Sequence, residues 1–298
     1  MSTRMSTSTS TSTSTSTTNE PTTLILGGTG KTGRRVAARL EARGQRVKVS
    51  SRSGAPPFDW KAPETWEPVL RGARAMYVAY HPDLAVPGAA DDVERLAKTA
   101  VALGVRRIVL LSGRGEQGVL PGERAVRESG AEWTILRAAW FCQNFSEGWL
   151  LPAVLGGELA FPAGEVAEPF VDCDDLAEIA ARALAEPGHA GQIYELTGPR
   201  LLTFGQAVSA IAQASGRAVT YVPVTGDAYA SALGEHLPPE QVRFMIELFA
   251  EVLDGHNAYV TDDVARVLGR APRDFAEFAR DAAQSGCWNV SGAGRSGR

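Results

Sequence analysis

The sequence is poor in the features that mark most specialised classes of protein. Its three cysteines, Cys142, Cys173 and Cys287, lie far apart with no Cys-x-x-Cys pair, which speaks against a disulfide framework and against a zinc site. A reducing, cytoplasmic setting is the simplest expectation. No apolar run approaches the roughly 20 residues that span a bilayer, so no membrane partner is expected. Lysine is scarce: the four lysines sit in no basic cluster, and a net charge of −4 gives no reason to expect nucleic acid. His189, His236 and His256 lack ligand spacing, and the acidic group Asp172, Asp174 and Asp175 reads as the cap and first turn of a helix, so no metal is expected. No internal repeat is visible.

What is present is ordinary for a globular enzyme, with 44% apolar and 21% charged residues in 298 positions. Residues 1–21 carry an unbroken Ser/Thr alternation from Ser6 to Thr17, with no apolar stretch of a secretory signal, and are expected to form a disordered tail. Residues 289–298 read as a second flexible tail. Between them strands and helices alternate. Thr22 to Leu26 is an apolar strand, Lys31 to Arg43 a helix with Gly33, Val36, Ala37 and Leu40 on one face, and Val47 to Ser50 a second strand. Strands at Ala75–Ala79, Arg107–Leu111 and Trp133–Leu136 alternate with helices at Asp91–Leu103 and Glu123–Ser129. The pattern predicts an α/β fold with a doubly wound parallel sheet covered on both faces. After Arg137 the rhythm loosens. Helices at Asp172–Glu186, Phe204–Ser215, Pro239–Leu253, Asp262–Leu268 and Asp274–Gln284, with strands at Gln192–Leu196 and Val219–Val224, predict a smaller C-terminal lobe over 151–288, partly interleaved with the sheet.

Gly27, Gly30 and Gly33 stand between the first strand and the first helix as G-x-x-G-x-x-G. The first allows a tight turn, the second lets the backbone approach a pyrophosphate, and the third lets the helix pack close to the sheet. The free amides and positive dipole end of the helix then face the phosphates. In this strand–turn–helix–strand frame the motif marks residues 22–150 as a Rossmann-type dinucleotide-binding domain, with Thr29, Lys31 and Thr32 completing the cradle. Gly30-Lys31-Thr32 also resembles the end of a triphosphate-binding P-loop, but that motif needs a glycine where Ile25 stands, so the spacing fails. NAD binders place an acid at the end of the second strand for the ribose 2′-hydroxyl. Here Ser51 and Arg52 follow that strand, and Arg52 can pair with a 2′-phosphate, so NADP(H) is expected over NAD(H).

Many reductases of this fold protonate their substrate with Tyr-x-x-x-Lys. No tyrosine here has a lysine four positions on; Tyr77, Tyr80, Tyr194, Tyr221, Tyr229 and Tyr259 are followed by His81, Leu84, Gly198, Thr225, Leu233 and Asp263. Tyr80 and His81 follow the third strand at its carboxyl end and are candidates to line cofactor or substrate; Ser112, ending the next strand, is a candidate for the nicotinamide ribose or the substrate. Trp140, Phe141, Phe145 and Trp149 follow the fifth strand and are candidates for an aromatic substrate pocket, with a core role as the alternative for each.

Leu26-Gly27-Gly28-Thr29-Gly30-Lys31-Thr32-Gly33, Ser129 to Arg137, Trp140-Phe141 with Asn144-Phe145, and Pro169-Phe170-Val171-Asp172 with Asp175-Leu176-Ala177 resemble the NmrA-like atypical short-chain dehydrogenases over roughly Thr23 to Trp288. Within that group, Phe58-Asp59-Trp60 followed by Glu64-Thr65-Trp66-Glu67 looks most like the ergot-alkaloid-type reductases. Ala138 stands where the group usually has proline. The resemblance implies NADPH-dependent reduction of an iminium or imine in secondary metabolism, and it places Asp59 on the adenine amino group. Hydride addition to C=N⁺ yields a neutral amine with no oxyanion, which accords with the missing tyrosine–lysine pair; an aromatic pocket would also stabilise the cation. Two alternatives stay open: a non-catalytic, dinucleotide-sensing regulator, and a quinone or azo reductase.

Overall fold

The computed structural model describes residues 22–290; the tail expected at 1–21, and positions 291–298 of the one expected at 289–298, lie outside the described residues. In chain order β1 (Thr22–Leu26), α1 (Gly33–Ala42), β2 (Arg46–Ser50), α2 (Trp66–Leu70), β3 (Ala73–Val78), α3 (Ala89–Ala102), β4 (Arg107–Gly113), α4 (Leu120–Arg127) and β5 (Glu132–Ala138) follow the predicted alternation, with the short α2 an addition to it. Then come α5 (Asn144–Glu147), α6 (Leu151–Gly156), β6 (Glu158–Phe161), β7 (Ala167–Glu168), α7 (Cys173–Ala185), β8 (Gln192–Leu196), β9 (Leu202–Thr203), α8 (Phe204–Ser215) and β10 (Thr220–Pro223). Helices α9 (Gly226–Gly234), α10 (Pro239–Val252), α11 (Asp263–Leu268) and α12 (Phe275–Gln284) close the described chain.

Six strands form one parallel sheet in the order β2-β1-β3-β4-β5-β8. The chain runs outward from β1 to β2, then returns to the other side of β1 for β3. That reversal opens a crevice at the carboxyl ends of β1 and β3, where ligands of open α/β sheets bind. Fully buried Leu24 and Leu26 point into one face of the sheet with Trp66, Val93 and Leu96; Ile25 packs on the other with Val36, Leu40, Ile179 and Val264. The period-two alternation of a strand covered on both sides thus places α2, α3 and α4 on one face and α1, α7 and α11 on the other.

Helix α1 buries Gly33, Val36, Ala37 and Leu40, the stripe read from its sequence. Its arginines, with Arg43 just past its end, answer acids of α5 and α7: Arg35 donates to Glu147 at 2.7 Å, Arg39 to Asp174 at 3.1 Å, and Arg43 to Glu178. Each such pair near solvent adds little alone, but the row fixes the register of α1 against α7. The acidic group opening α7 behaves as a cap: the Asp172 carboxylate accepts from the Asp174 amide at 2.8 Å, and buried Asp175 pairs with Arg270 at 2.6 Å.

A third core gathers Phe145, Phe161, Phe170, Phe204, Phe275 and Trp288 between α8, α12 and the parallel pair β6/β10. This lobe is threaded through the sheet domain. The chain leaves after β5, returns to supply α7 and the edge strand β8, and leaves again, so the segment 151–288 contributes to both bodies.

A methyl group at Gly33 would lie 2.3 Å from the Gly27 carbonyl oxygen. Gly33→Ala is therefore expected to cost about 1–3 kcal/mol through overpacking of backbone on backbone. A calorimetric melting temperature equal to the parent's would show that the turn yields.

Candidate functional site

The first part of the site is backbone. Gly27 turns with φ of +70°, and a side chain there would lie 3.1 Å from the Ala79 carbonyl at the end of β3. A side chain at Gly28 would meet Val49 at 2.5 Å. The Gly30 amide donates back to the Gly27 carbonyl at 2.9 Å, closing the turn. The amides of Thr29, Lys31, Thr32 and Gly33 have no acceptor among the described residues, and they open the ten-residue helix α1. Four unsatisfied donors converging at a helix N-terminus form an anion cradle, and the donor set fits a pyrophosphate. Thr32 itself is buried. Lys31 turns its ammonium inward beneath Gly148, and burial holds its pKa below the ordinary value.

At the end of β2, the Ser51 hydroxyl lies 3.3 Å from that of Ser53, and Arg52 is exposed, with no hydrogen bond or ion pair among the described residues. Asp59 accepts from the Lys61 amide at 2.9 Å, while its carbonyl accepts from the Trp66 indole at 2.7 Å. The stretch that carries the family resemblance is a buried aromatic plug: Phe58 meets Trp60 edge-on at 5.0 Å, and Trp60 packs on Tyr80 at 4.5 Å.

The second part is a cavity of about 360 Å³ at the carboxyl ends of β3, β4 and β5. Lys31 lines it, so it adjoins the cradle; Trp140, Phe141 and Trp149 form its aromatic wall together with Phe249 of α10. Trp149 stacks on Phe249 at 5.6 Å with planes 17° apart, and Trp140 meets Phe249 at 5.8 Å.

Two expectations, for Phe145 and His81, need correction. Phe145 is fully buried among Phe170, Phe204 and Phe275 and belongs to the lobe core rather than to the cavity wall. His81 is exposed and lies outside the cavity lining. Tyr80 lines the cavity, but its hydroxyl donates to Asp92 at 2.6 Å and accepts from Lys61 at 3.2 Å. A tyrosine and a lysine thus meet in space where the sequence spacing has none. Burial and the hydrogen bond to Asp92 nevertheless push this phenol above its ordinary pKa, the opposite of a poised proton donor. Ser112 also lines the cavity, with its hydroxyl donated to Glu123 at 2.7 Å. Ser112, Arg137 and Glu195 are register partners across β4, β5 and β8. Arg137 donates two bonds to Glu123 at 2.9 and 2.7 Å, and Arg114 reaches Glu195 at 3.3 Å.

Sequence reasoning missed the carboxyl groups of the cavity. Asp83, Glu116 and Glu168 all line it. Burial, with Asp83 and Glu251 nearby, pushes Glu116 up to about 8; burial pushes Glu168 up to about 7, with Arg114 and His256 opposing and Asp254 adding. One oxygen of each glutamate is buried without a hydrogen-bond partner. Glu168 stands directly before Pro169-Phe170-Val171-Asp172, and Glu116 lies in the stretch where a tyrosine–lysine pair would be sought. Arg114, buried beside them, donates to the carbonyls of Asn257 and Tyr259 at 2.9 and 3.1 Å and so clamps the segment after α10 over the cavity.

No protein-family model matches the chain. It is 34% identical over 278 residues to the uncharacterized oxidoreductase YesF of Bacillus subtilis, spanning 89% of this chain and 96% of that one. To the NAD(P)H azoreductase of Xenophilus azovorans it is 30% identical, spanning 86% and 96%; to the agroclavine dehydrogenase of Claviceps fusiformis, 29%, spanning 87% and 96%. Among solved structures, the Citrobacter triphenylmethane reductase complexed with NADP(H) superposes with a TM-score of 0.69 at 20% identity over 88% of this chain and 99% of that one. The chain belongs to the family of oxidoreductases that includes YesF and this azoreductase.

The raised carboxyls give a pH dependence of stability. Between the unfolded carboxyl value near 4.5 and the folded values near 7 and 8, the folded state holds protons that the unfolded state has lost, so stability falls as pH rises through that window. Glu116→Gln is expected to raise the melting temperature at about pH 8.5 and to change it far less at about pH 5. An equal shift at both values would separate the effect from ionisation.

Proposed function

We propose that this protein is a cytoplasmic, NADP(H)-dependent reductase that delivers a hydride to a small, flat organic electrophile, with an iminium or imine as the favoured acceptor. The observation that carries the reading is the aromatic cavity at the carboxyl ends of β3, β4 and β5, joined through Lys31 to the amide cradle of α1. Residues 22–150 would hold the dinucleotide and 151–288 would shape the substrate end. The relatives' names support the class: one is an NAD(P)H azoreductase and another an agroclavine dehydrogenase. A pure cofactor sensor has no use for a cavity of this size and lining.

In this reading the amides of Thr29, Lys31, Thr32 and Gly33 hold the pyrophosphate, and Ser51 and Arg52 hold the 2′-phosphate at the end of β2. Asp59 lies at the adenine end. When bound, the nicotinamide supplies the hydride. Trp140, Phe141, Trp149 and Phe249 hold the acceptor flat and exclude water, so the protein's share of catalysis is positioning. A C=N⁺ acceptor becomes a neutral amine without a proton donor, which suits a cavity whose tyrosine hydroxyl is bound to Asp92. Reduction of azo dyes or quinones is the second reading, favoured by the azoreductase likeness.

NADPH consumption followed with a panel of iminium, quinone and azo compounds tests the reading. Turnover is expected, fastest with an iminium; tight NADPH binding without turnover of any compound would leave a sensor. Arg52→Ala is expected to weaken NADPH binding by roughly 10- to 100-fold, the loss of a charge-assisted pair, and to leave NADH binding within about 3-fold. Equal losses in a fluorescence titration would remove Arg52 from the 2′-phosphate.

A further inference from the structure

Hydride transfer as set out above makes no use of the cavity's carboxyl groups, yet their placement is specific. Glu168 is only 1% exposed, lines the cavity, and keeps Oε1 buried without a hydrogen-bond partner. Its backbone is fixed by the antiparallel pairing of β7 with β9, opposite Leu202, and by buried Pro169 and Phe170 behind it. The nearby guanidinium of Arg114 is already committed to Glu195 and to the carbonyls of Asn257 and Tyr259. Glu116 repeats the arrangement, with Oε2 buried and unpartnered on the same cavity. A buried acceptor left without a donor is costly, more so when charged, and a ligand that provides the partner removes that cost. The rest of the lining, Trp140, Phe141, Trp149 and Phe249, suits the face of a delocalised cation.

We propose that Glu168 is a specificity-determining residue: its carboxylate pairs with the positively charged nitrogen of the substrate, Glu116 flanks the same charge, and a carboxyl proton leaves for solvent as the cation enters. The inference rests on the reductase reading for the word substrate, but the pairing itself is a binding event. On binding, the carboxyl O–H bond breaks, the proton goes to water, and an ion pair forms; nothing is oxidised. Hydride addition then turns C=N⁺ into C–H and a neutral nitrogen.

The groups facing Glu168 are Arg114, His256 and Asp254, and those facing Glu116 are Asp83 and Glu251. With Glu168 near 7 and Glu116 near 8 in the free protein, affinity for a cation rises with pH through that range, whereas affinity for a neutral acceptor does not.

The test uses N-methyl-3,4-dihydroisoquinolinium, a permanent cation, and 1,4-naphthoquinone, a neutral acceptor of similar shape. Each is titrated calorimetrically into the full chain loaded with NADP⁺, at about pH 6.5, in two buffers of different ionisation heat. The cation is expected to release a substantial fraction of a proton per site and the quinone none. Glu168→Gln is expected to diminish that release and to lower the ratio of kcat/KM for the cation over the quinone by at least ~10-fold, mainly through KM of the cation; Glu168→Asp recovers part of it. Cation binding without proton release by the parent protein, or an unchanged ratio in Glu168→Gln, overturns the proposal. Absence of proton release by the parent protein decides against the proposal even if the variants fold poorly, and a release that persists in Glu168→Gln assigns it to Glu116 instead. If neither probe is reduced, the reductase reading fails while the binding measurement still stands for or against the ion pair.

Discussion

The structure depends on one close approach, that of the first turn of α1 to the end of β1. With no atom beyond Cα at Gly33, the helix starts against the Gly27 carbonyl, where a methyl would lie at 2.3 Å. That contact sets the direction of α1, and with it the aim of the amides of Thr29, Lys31, Thr32 and Gly33. It also brings the α1 arginines opposite Glu147, Asp174 and Glu178, which draws in α5 and α7 from the second half of the chain. The row of free amides and the joint between the two bodies therefore have a common origin.

A second level of order runs across the sheet. Ser112, Arg137 and Glu195 are adjacent in register on three strands, and with Glu123 and Arg114 they form a continuous series of charge-assisted contacts along the carboxyl edge. Parallel strands make such rows possible because their ends align on one side of the sheet. The row holds the cavity floor rigid while leaving the aromatic wall to the lobe, whose core of Phe145, Phe170, Phe204 and Phe275 lies behind it. Rigid edge and separately built wall are the arrangement expected where chemistry requires positioning more than proton transfer.

The first half of the chain was legible because local pattern and tertiary environment agree there. Apolar runs bounded by glycines became central strands, and the stripe Gly33, Val36, Ala37 and Leu40 became the buried face of α1. Of the candidate site, the sequence marked the backbone turn of Gly27, Gly30 and Gly33. Side-chain roles depended on where hydroxyls and carboxyls point, which no spacing reveals. Tyr80 has the right position but spends its hydroxyl on Asp92, and Ser112 spends its own on Glu123. Phe145 and Trp149 are four residues apart, yet one fills a core and the other a cavity wall. Glu116 and Glu168 carried no signal as lone acids in loops; only the loss of solvent around them, and of partners for their oxygens, sets them apart.

The route of the chain also constrains how this protein can change. Because the second half returns to lay β8 along the sheet before building the remaining helices, cutting between the halves would strip the sheet of an edge and the lobe of its footing together. Helix α9, Gly226–Gly234, follows the last strand of the lobe and has no fully buried side chain, though Tyr229 packs on Phe161 and Phe249. Apart from Tyr229, which bears on the cavity-wall residue Phe249, sequence there can drift at small thermodynamic cost without disturbing the sheet.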